Sequence, residues 1–452
     1  MSEQRPLRVA IVGAGPAGFY AAASLMKHPS RTVQIDLFDR LPVPFGLVRA
    51  GVAPDHPNIK AVTRAYARTA SKPGFRFFGN VELGTDLSLE DLDAHYDQWL
   101  LSVGCADDRK LGIPGEDLVG CHSAREFVAW YNGHPDYANA TFDLSKPGVG
   151  IIGVGNVALD VARILMTSPD DLAKTDIADH ALQALRESKV QHVTLFARRG
   201  PAAAACTPKE LGELGAIPGV DVLIDTDSLT RDTHTMPEEP HPNLLANLAI
   251  LADFAQREHT PGNRTIRIEF FASPTQIQGD ERVSAIEVGQ TELEARGDGW
   301  SARLTDVREV FPVDQLFRSI GYRGHVINGV PFDTARGRLP NTGGRILTNA
   351  SGPLMPKGYT AGWAKRGPSG VIGTNRSCAQ ATVDLMVQDT PEPCDLPASD
   401  AIEALLAERG VRVVSWQDWQ ALDAHEIQTG QAVGKPREKL VSVAQALALL
   451  DH

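Results

Sequence analysis

The pattern of hydrophobic positions begins with a strand, a glycine turn, a helix and a second strand. Residues 7–12 form a short apolar run, residues 17–26 repeat with a helical period, and residues 32–38 form another apolar run that ends at Asp39. Apolar runs of this length, bounded by glycine or by charge, predict buried strands. The order of these elements predicts the start of a doubly wound α/β sheet.

The same pattern occurs a second time, about one domain further along the chain. Residues 148–152 predict a strand, Gly153 and Gly155 a turn, residues 158–166 a helix, and residues 190–196 the next strand. Repetition of one supersecondary unit at this separation indicates two domains of the same kind.

The rest of the chain contains further predicted elements around these two units. They are a Pro- and Gly-rich loop (40–58), a helix (58–71), two strands (75–81 and 97–104), a connector (107–117), a helical excursion (170–189), mostly strand-like sequence (266–310), a last apolar strand (314–322), a glycine loop followed by a helix (358–384) and two tail helices (400–408 and 439–450). We expect a discontinuous first domain, residues 1–107 plus 325–452, with the second domain, residues 108–324, inserted within it.

The first glycine turn runs from Gly13 to Gly18 and has the pattern G-x-G-x-x-G between a strand and a helix. Gly13 permits the tight turn, Gly15 lets a pyrophosphate approach the backbone, and Gly18 allows close packing of the helix on the strand. Asp39, at the end of the next strand, is placed to accept hydrogen bonds from ribose hydroxyls. The unit therefore predicts a bound dinucleotide with free ribose hydroxyls. The alternative is a turn with a structural role alone.

The second glycine turn has Ala158 at the third glycine position, and the strand that follows ends with Arg198 and Arg199 where an acid would mark NAD. A carboxylate at that place would repel a 2′-phosphate, whereas guanidinium groups bind one through charge-assisted hydrogen bonds. The second unit therefore predicts NADP(H). The alternative is a solvated basic strand end.

The bulk composition narrows the class of protein. The chain has 452 residues, 42% of them hydrophobic, and a formal net charge of −12. These values are typical of globular domains and disfavour broad binding to nucleic acid. The sequence has no apolar signal region at its N-terminus and no apolar segment long enough to span a bilayer, so we expect no membrane insertion. We also expect a monomer.

The cysteines exclude several kinds of redox and metal site. The chain has five, at Cys105, Cys121, Cys206, Cys378 and Cys394, with no C-x-x-C and no histidine at zinc-like spacing from a cysteine pair. A redox dithiol, a structural zinc and a built-in iron–sulfur cluster are therefore not expected. Scattered, unpaired thiols favour a cytoplasmic location.

No separate catalytic constellation accompanies the two nucleotide units. The sequence lacks a G-x-S-x-G, an H-E-x-x-H and a P-loop lysine motif. This fits a flavoprotein, because the flavin supplies the chemistry and the protein places it. We therefore predict an α/β fold with two Rossmann-like dinucleotide-binding domains, of glutathione-reductase-like architecture, that hold FAD in the first and NADP(H) in the second.

These motifs, together with longer stretches, resemble the adrenodoxin-reductase-like family of ferredoxin–NADP reductases, including its bacterial members. The resemblance is carried by the two glycine turns (9–19 and 153–160), the loop at 42–57, the connector at 108–116, the segment at 198–213 and the segment at 362–375. The loop at 42–57 and the segment at 362–375 are the most specific, since no general rule of the fold demands them.

The resemblance implies roles for individual residues. FAD would be contacted from the N-terminal half by Ala17, Asp39, Leu47 and Val81, and from the C-terminal half by Trp363, Gly370, Val371 and Ile372. NADPH would be held by Arg109, by the turn Val154-Gly155-Asn156-Val157, and by Arg198, Arg199 and Glu210. His56 and Glu213 would form an ionic couple near the flavin that influences the geometry of hydride transfer.

Each of these residues also has a simpler interpretation. Tryptophan most often lies in the core, so Trp363 is compatible with a core position, although its flanking glycines favour a flat ligand. His56 is compatible with an exposed loop. Glu210 and Glu213 lie one turn apart on a predicted helix and fit an ordinary charged face. Lys365 and Arg366 fit a solvated loop or a docking patch for an acidic ferredoxin.

Two positions depart from the family pattern. Asp39 stands where the family usually has Glu, so the side chain is shorter by one methylene. We still expect FAD to bind, with room for a water molecule between the carboxylate and the ribose. After Arg199 the family has bulkier residues and an aromatic, whereas this chain has an alanine run, Ala202 to Ala205, followed by Cys206. The packing of this loop over NADPH, and the affinity for the coenzyme, are therefore open questions.

The function implied by the resemblance is a ferredoxin–NADP⁺ reductase, which passes electrons from NADPH through FAD to a ferredoxin-type iron–sulfur protein. One alternative is an NADPH dehydrogenase that acts on quinones or other small acceptors. The other is a nucleotide-sensing protein that keeps both pockets and transfers no electrons.

Overall fold

The computed structural model describes residues 5–231, 236–297, 299–392 and 395–451, so Cys394 lies outside the described residues. The strands, numbered in chain order, are β1 (Leu7–Val12), β2 (Val33–Asp39), β3 (Phe75–Gly79), β4 (Gln98–Leu101), β5 (Asp107–Asp108), β6 (Cys121–Ser123), β7 (Gly148–Ile152), β8 (His192–Ala197), β9 (Val220–Ile224), β10 (Arg264–Phe270), β11 (Ala272–Gln278), β12 (Ala285–Arg296), β13 (Gly299–Pro312), β14 (Gln315–Arg318), β15 (Tyr322–Arg323), β16 (Asn341–Thr342), β17 (Arg345–Leu347) and β18 (Leu354–Thr360).

The helices, also numbered in chain order, are α1 (Pro16–Leu25), α2 (Leu47–Ala50), α3 (Pro57–Lys60), α4 (Thr63–Ala70), α5 (Leu89–His95), α6 (Ala124–Tyr131), α7 (Asn156–Met166), α8 (Pro169–Leu172), α9 (Asp179–Arg186), α10 (Pro208–Leu214), α11 (Thr226–Thr230), α12 (Pro242–Gln256), α13 (Trp363–Arg366), α14 (Thr374–Gln388), α15 (Ala401–Glu408), α16 (Trp416–Ala432) and α17 (Val443–Leu450). Single 3₁₀ turns span Pro135–Tyr137 and Pro201–Ala203.

The first glycine turn belongs to a sheet that has, among the described residues, seven strands in the order β16-β17-β18-β4-β1-β2-β3. The five strands from β18 to β3 are parallel, and β16 to β18 form an antiparallel edge. At the carboxyl end of β1, Val12 pairs with Phe38 of β2 on one side and with Leu101 of β4 on the other. The order reverses at this point, which is where an open parallel sheet binds its ligand.

The second glycine turn belongs to a parallel sheet with six strands within the described ranges, in the order β6-β14-β7-β8-β10-β9. The two sheets are built alike at their turns. The N–H of Gly13 donates to the carbonyl of Phe38, and the N–H of Gly153 donates in the same way to the carbonyl of Phe196. The repeat predicted from the sequence is therefore confirmed down to one backbone hydrogen bond.

A short two-stranded ribbon connects the two large sheets. β5 and β15 pair antiparallel, with Asp108 opposite Tyr322, where the chain leaves the first sheet and later returns to it. All strands of the six-stranded sheet come from residues 121–318, and those of the seven-stranded sheet come from residues 7–101 and 341–360. The antiparallel sheet β11-β12-β13 packs on the second sheet through Phe196, Ile286 and Val288.

Several predicted elements change in detail. The strand predicted at 314–322 is wrong as a single element, because β14 ends at Arg318 and β15 joins a different sheet. The loop at 40–58 contains the short helix α2, and its last residues begin α3. The last predicted helix starts later, at Val443.

Helix α16 is absent from the sequence-based prediction, although it is one of the longest helices. Its apolar face begins with Trp416, Trp419 and Leu422, but the position that would continue the stripe is Glu426, which is fully buried. This carboxylate receives the guanidinium of Arg49, from the loop at 42–57. A buried ion pair therefore takes the place of an apolar contact, and the hydrophobic period is lost from the sequence.

Among the described residues, no helix has both the length and the apolar character needed to cross a lipid bilayer.

Candidate functional site

The glycines of the first turn have three different surroundings, as the sequence predicts. Gly13 has φ +106°, and a Cβ there would lie 2.5 Å from the carbonyl oxygen of Ser102. A Cβ on Gly18 would lie 2.2 Å from the oxygen of Gly13, so helix α1 packs directly on the turn. A Cβ on Gly15 would meet nothing within 4 Å. The backbone at Gly15, at the start of α1, is therefore open to a phosphate.

Asp39 closes this turn from the end of β2. Its carboxylate accepts one hydrogen bond from the N–H of Ala14 at 2.8 Å and another from the N–H of Leu41 at 3.0 Å. Burial raises the pKa of Asp39, and the two N–H groups act in the opposite direction. Each carboxylate oxygen keeps a second lone pair, so the shorter side chain remains able to accept from a ribose hydroxyl or a bridging water.

The loop at 42–57 lies over the first turn. The N–H of Phe45 donates to the carbonyl of Ala14, and a Cβ on Gly46 would lie 3.0 Å from the Cα of Gly15. Leu47 follows at the start of α2 and is 42% exposed, which is unusual for a leucine beside a core. Val81 is buried and donates its N–H to the carbonyl of Asp39. The loop thus places one open apolar side chain at the rim of the turn.

The segment at 362–375 reaches the same turn from the C-terminal half. Gly362 leaves no room for a side chain, because a Cβ there would lie 2.6 Å from the Cβ of Ala17. The indole of Trp363 donates to the carbonyl of Ser369 at 3.2 Å, and its ring lies 5.6 Å from that of Tyr322. Trp363 is only partly buried, so the interpretation as a core residue does not hold.

The residues after Trp363 form an open strip. Gly370 has φ +78°, and a Cβ there would lie 2.7 Å from the hydroxyl of Thr374, so a larger residue would be strained. Val371 is 58% exposed and Ile372 is half-buried. An exposed apolar strip held by glycines is typical of a surface that a flat ligand covers.

The second turn repeats the geometry of the first. Gly153 has φ +121° and a Cβ there would lie 2.3 Å from the oxygen of Ser319, whereas a Cβ on Gly155 would meet nothing within 4 Å. Val154 is buried, and Val157 is half-buried against the core. Asn156 accepts the N–H of Thr207 on its side-chain oxygen at 2.9 Å. Gly155, at the start of α7, is thus the glycine of this turn with open space beside its Cα.

The alanine run packs over this second turn without the bulky residues of the family. It begins in the 3₁₀ turn at Pro201–Ala203, and Ala205 then forms a parallel β-bridge with Gly155. Cys206 is buried, and the side-chain amide of Asn247 donates to its carbonyl. The backbone path of this loop is thus fixed by the β-bridge to Gly155 and by the hydrogen bond from Asn247.

The charged groups expected around the second turn are available for a ligand. Arg198 and Arg199 are exposed at the end of β8, and in the part of the chain that the structure describes neither guanidinium has a hydrogen bond or ion pair. Arg109 is also exposed, and its N–H donates to the carbonyl of Gly321 in the ribbon between the sheets. One carboxylate oxygen of Glu210 is buried and has no partner among the described residues. Such an orphaned acceptor fits a sugar hydroxyl.

His56 and Glu213 meet at the junction between the two halves of the protein. The Nε2 atom of His56 lies 2.8 Å from a carboxylate oxygen of Glu213, on α10. His56 is buried, so its interpretation as an exposed loop histidine is wrong. Burial by itself would raise the pKa of Glu213, but the hydrogen bond from His56 and the charge of Arg163 lower it overall.

Three further residues complete this cluster, and the sequence-based search did not assign them a role. Arg163 on α7 contacts Asp55 at 3.1 Å and Asp160 at 2.6 Å, and lies 3.3 Å from the Nε2 atom of His56. Burial raises the pKa of Asp160 to about 6, despite the neighbouring guanidinium. One sequence signal was available: Arg163 interrupts an otherwise apolar helix, with Asp160 three residues before it.

Two other cations, Lys365 and Arg366, are held by contacts within the protein. Lys365 donates to the hydroxyl of Thr382 at 3.0 Å, and Arg366 donates to the side-chain oxygen of Asn375 at 3.1 Å. Both are therefore engaged within the protein and are not fully solvated. Within the described ranges, no group of His, Cys, Asp or Glu side chains has the geometry to hold a metal ion.

Comparisons with known proteins agree with this geometry. The profile of the pyridine nucleotide-disulphide oxidoreductase family matches residues 7–214. The NADPH-ferredoxin reductase FprA of Mycobacterium tuberculosis (strain ATCC 25618 / H37Rv) is 44% identical, over 98% of this chain and 99% of the relative. The mitochondrial NADPH:adrenodoxin oxidoreductase of Arabidopsis thaliana is 42% identical, over 99% of this chain and 96% of the relative.

A solved structure shows the same arrangement. The structure of Mycobacterium tuberculosis FprA in complex with NADPH matches with a TM-score of 0.95 at 44% identity, and covers 99% of this chain and 100% of that chain. The predicted α/β architecture with two Rossmann-like units is thereby confirmed. This chain belongs to the adrenodoxin-reductase-like family of ferredoxin–NADP reductases.

Proposed function

We propose that this chain is an NADPH-dependent FAD flavoprotein that transfers electrons to a ferredoxin-type iron–sulfur protein. The observation that carries the proposal is the pair of glycine turns whose backbone is open to a phosphate. The carboxylate of Asp39 lies beside the first turn, and Arg198 and Arg199 lie beside the second. The relatives named NADPH-ferredoxin reductase and NADPH:adrenodoxin oxidoreductase support the same activity.

FAD fits the first turn, which would make residues 1–107 plus 325–452 the FAD domain. The opening at Gly15 accommodates a pyrophosphate, and the start of α1 supplies free N–H groups to it. Asp39 is positioned for the ribose. Leu47 on one side and Val371 on the other leave apolar surface for the ring system.

NADPH fits the second turn, which would make residues 108–324 the NADP domain. Gly155 offers the same opening at the start of α7. Arg198 and Arg199 are available for the 2′-phosphate, and the orphaned oxygen of Glu210 for a hydroxyl of the coenzyme. Arg109 directly follows β5 of the ribbon between the sheets, at the start of the connector, and would contact the coenzyme from there.

The protein's own residues place the two ring systems. FAD held at Gly15, Asp39 and Leu47 would supply the redox chemistry between the two-electron donor NADPH and a one-electron acceptor. The contact between His56 and Glu213 holds the loop of the first half against α10 of the second half. The hydrogen bond of Trp363 to Ser369 fixes the indole beside the strip at Gly370.

The location and the oligomeric state are part of the proposal. The described cysteines, Cys105, Cys121, Cys206 and Cys378, are free, which fits a reducing compartment such as the cytoplasm. Both openings and the His56–Glu213 contact are built from one chain, which supports a functional monomer.

Anaerobic addition of NADPH to the purified protein tests the proposal. We expect a yellow preparation whose flavin absorbance is bleached by NADPH and much less by the same concentration of NADH, because only NADPH carries the phosphate that Arg198 and Arg199 can bind. A preparation that binds flavin and NADPH without bleaching would indicate a nucleotide sensor. A preparation without flavin would refute the proposal.

Steady-state assays then identify the acceptor. The rate of reduction of a purified bacterial ferredoxin, followed by its visible absorbance, is compared with the rate for a water-soluble quinone at equal NADPH. We expect a higher kcat/KM for the ferredoxin. A higher kcat/KM for the quinone would instead favour an NADPH dehydrogenase that acts on small acceptors.

A further inference from the structure

Arg163 is the most highly connected charged residue at the junction between the two halves. It lies on α7, the helix that begins at the second glycine turn, and its side chain is only 6% exposed. One nitrogen, Nη2, contacts Asp160 on the same helix at 2.6 Å. The other, Nη1, contacts Asp55 from the loop of the first half at 3.1 Å. A planar guanidinium held at both nitrogens has a fixed orientation.

The same Nη1 atom also faces the His56–Glu213 couple. It lies 3.3 Å from the Nε2 atom of His56 and 3.6 Å from the nearer carboxylate oxygen of Glu213. The nitrogen Nε2 of an imidazole carries one proton or one lone pair, so it hydrogen-bonds to one of these partners at a time. His56 therefore either donates Nε2–H to Glu213 or accepts from Arg163, and the guanidinium lies within reach of both groups.

The surroundings of Arg163 are strongly acidic. Three carboxylates face it, from Asp55 on the loop, Asp160 on α7 and Glu213 on α10. Lys209 is another cation near Glu213, also at 3.6 Å, but it is more than half exposed. Without Arg163, the three carboxylates would repel one another across the junction.

Three polar groups complete the surroundings. Tyr131 on α6 and Tyr322 on β15 feel the charge of Asp160, and Glu210 on α10 feels it as well. The hydroxyl of Tyr131 is buried and has no partner among the described residues. Arg125 is a further cation near Tyr322, and Arg163 is the buried cation that contacts Asp55 and Asp160 directly.

We propose that Arg163 is a positioning residue for hydride transfer, which joins the helix of the second glycine turn to the loop that carries His56. This inference rests on the proposed function, because it gives Arg163 a part in aligning the two cofactors, FAD and NADPH. Arg163 contacts the His56–Glu213 couple and affects hydride transfer through that couple, without touching a cofactor itself. It supplies both the neutralising charge and a two-point link between α7 and the loop.

The test compares Arg163→Met and Arg163→Lys with the wild-type holoprotein in anaerobic stopped-flow reduction by NADPH. We expect Arg163→Met to lower the rate constant at saturating NADPH by about 10-fold to 100-fold, as expected for a small misplacement of reacting groups. The dissociation constant for NADPH should change by less than about 3-fold, because Arg198 and Arg199 are intact. Rates are expressed per bound flavin, so partial loss of folded protein does not affect them.

The pH dependence separates a positioning role from a merely structural one. Removal of the cation should raise the pKa of Asp160 further, so the loss of rate on acidification should begin at a higher pH in Arg163→Met than in the wild type. Arg163→Lys keeps the charge, so its profile should stay near that of the wild type. Its rate constant should remain low, since an ammonium cannot make the same two-point link.

The matched control is Arg264→Met. Arg264 donates to the carbonyl of Met166 at the far end of α7, so this substitution removes an arginine contact to the same helix without touching the junction. Its rate constant and pH profile should equal those of the wild type. If the wild type is reduced by NADPH and Arg163→Met is reduced at the same rate with the same profile, the inference about Arg163 is wrong. If the wild type is not reduced at all, the proposed function itself is wrong.

Discussion

Replacement of Asp176 with asparagine should destabilise the protein far more than replacement of its buried partner Lys439 with methionine. Asp176 lies between α8 and α9, and its carboxylate is 2.6 and 2.8 Å from the ammonium of Lys60, on α3. Lys439, from the C-terminal tail, approaches the same carboxylate at 3.2 Å and is 1% exposed. One anion thus joins three segments of the chain through two cations.

The direction of the effect follows from the charges. Burial would raise the pKa of Asp176, but the two lysines outweigh it and lower the pKa to about 2. Burial lowers the pKa of Lys439 to about 7, although Asp176 opposes this change. Asp176→Asn leaves Lys60 as a buried cation without its anion and lets Lys439 lose its proton, which together should cost about 3–5 kcal/mol. Lys439→Met leaves the Lys60–Asp176 pair intact and removes a repelling cation, so the cost should be within about 1 kcal/mol.

Urea unfolding, followed by tryptophan fluorescence and far-UV circular dichroism at pH 7, measures the difference. With m near 2–3 kcal/mol/M, the midpoint for Asp176→Asn should fall by about 1 M or more. The control is Glu292→Gln, in the exposed pair with Arg303 at 2.9 Å, which should change stability by less than about 1 kcal/mol. Equal midpoints for Asp176→Asn and Lys439→Met would refute the reasoning.

Three further predictions concern the coenzyme, the flavin and acid stability. Arg198→Ala combined with Arg199→Ala should weaken NADPH binding by about 100-fold or more and NADH binding by less than about 3-fold, since two charged hydrogen bonds are lost; equal losses in equilibrium titrations would contradict the 2′-phosphate assignment. Gly15→Val should leave the apoprotein folded but free of flavin, because a Cβ there meets nothing in the protein and fills the phosphate approach; retention of stoichiometric flavin absorbance would count against it. Because the folded-state pKa of Asp176 lies below its ordinary value of 3.8, its contribution to stability should be complete above about pH 4 and be lost as the pH falls towards 2. The difference in unfolding free energy between wild type and Asp176→Asn should therefore shrink between pH 5 and pH 3, and a constant difference would contradict the assignment.

Helix α16 shows where a hydrophobic pattern fails to predict an element. The helix buries Glu426 at a position where the period demands an apolar side chain, because Arg49, from the loop at 42–57, supplies the opposite charge. No pattern within the helix itself reveals that partner. The same loop carries His56, so the C-terminal helix α16 supports the segment that meets Glu213.

The sequence by itself determined the two glycine turns, the order of elements around them and the charges at the ends of β2 and β8. These features depend on backbone conformations and on hydrogen bonds within one strand–turn–helix unit, such as the positive φ of Gly13 and Gly153. Residue types a few positions apart decide such local geometry.

Only the tertiary structure decided which charged side chains meet. Arg163 meets Asp55 and His56, and Asp176 meets Lys60 and Lys439, across segments that are far apart in the chain. A charged residue in a helix looks the same in sequence whether it faces water or a buried partner. The packing of the two halves against each other removes water from these groups, and this desolvation turns ordinary charges into a link between the domains.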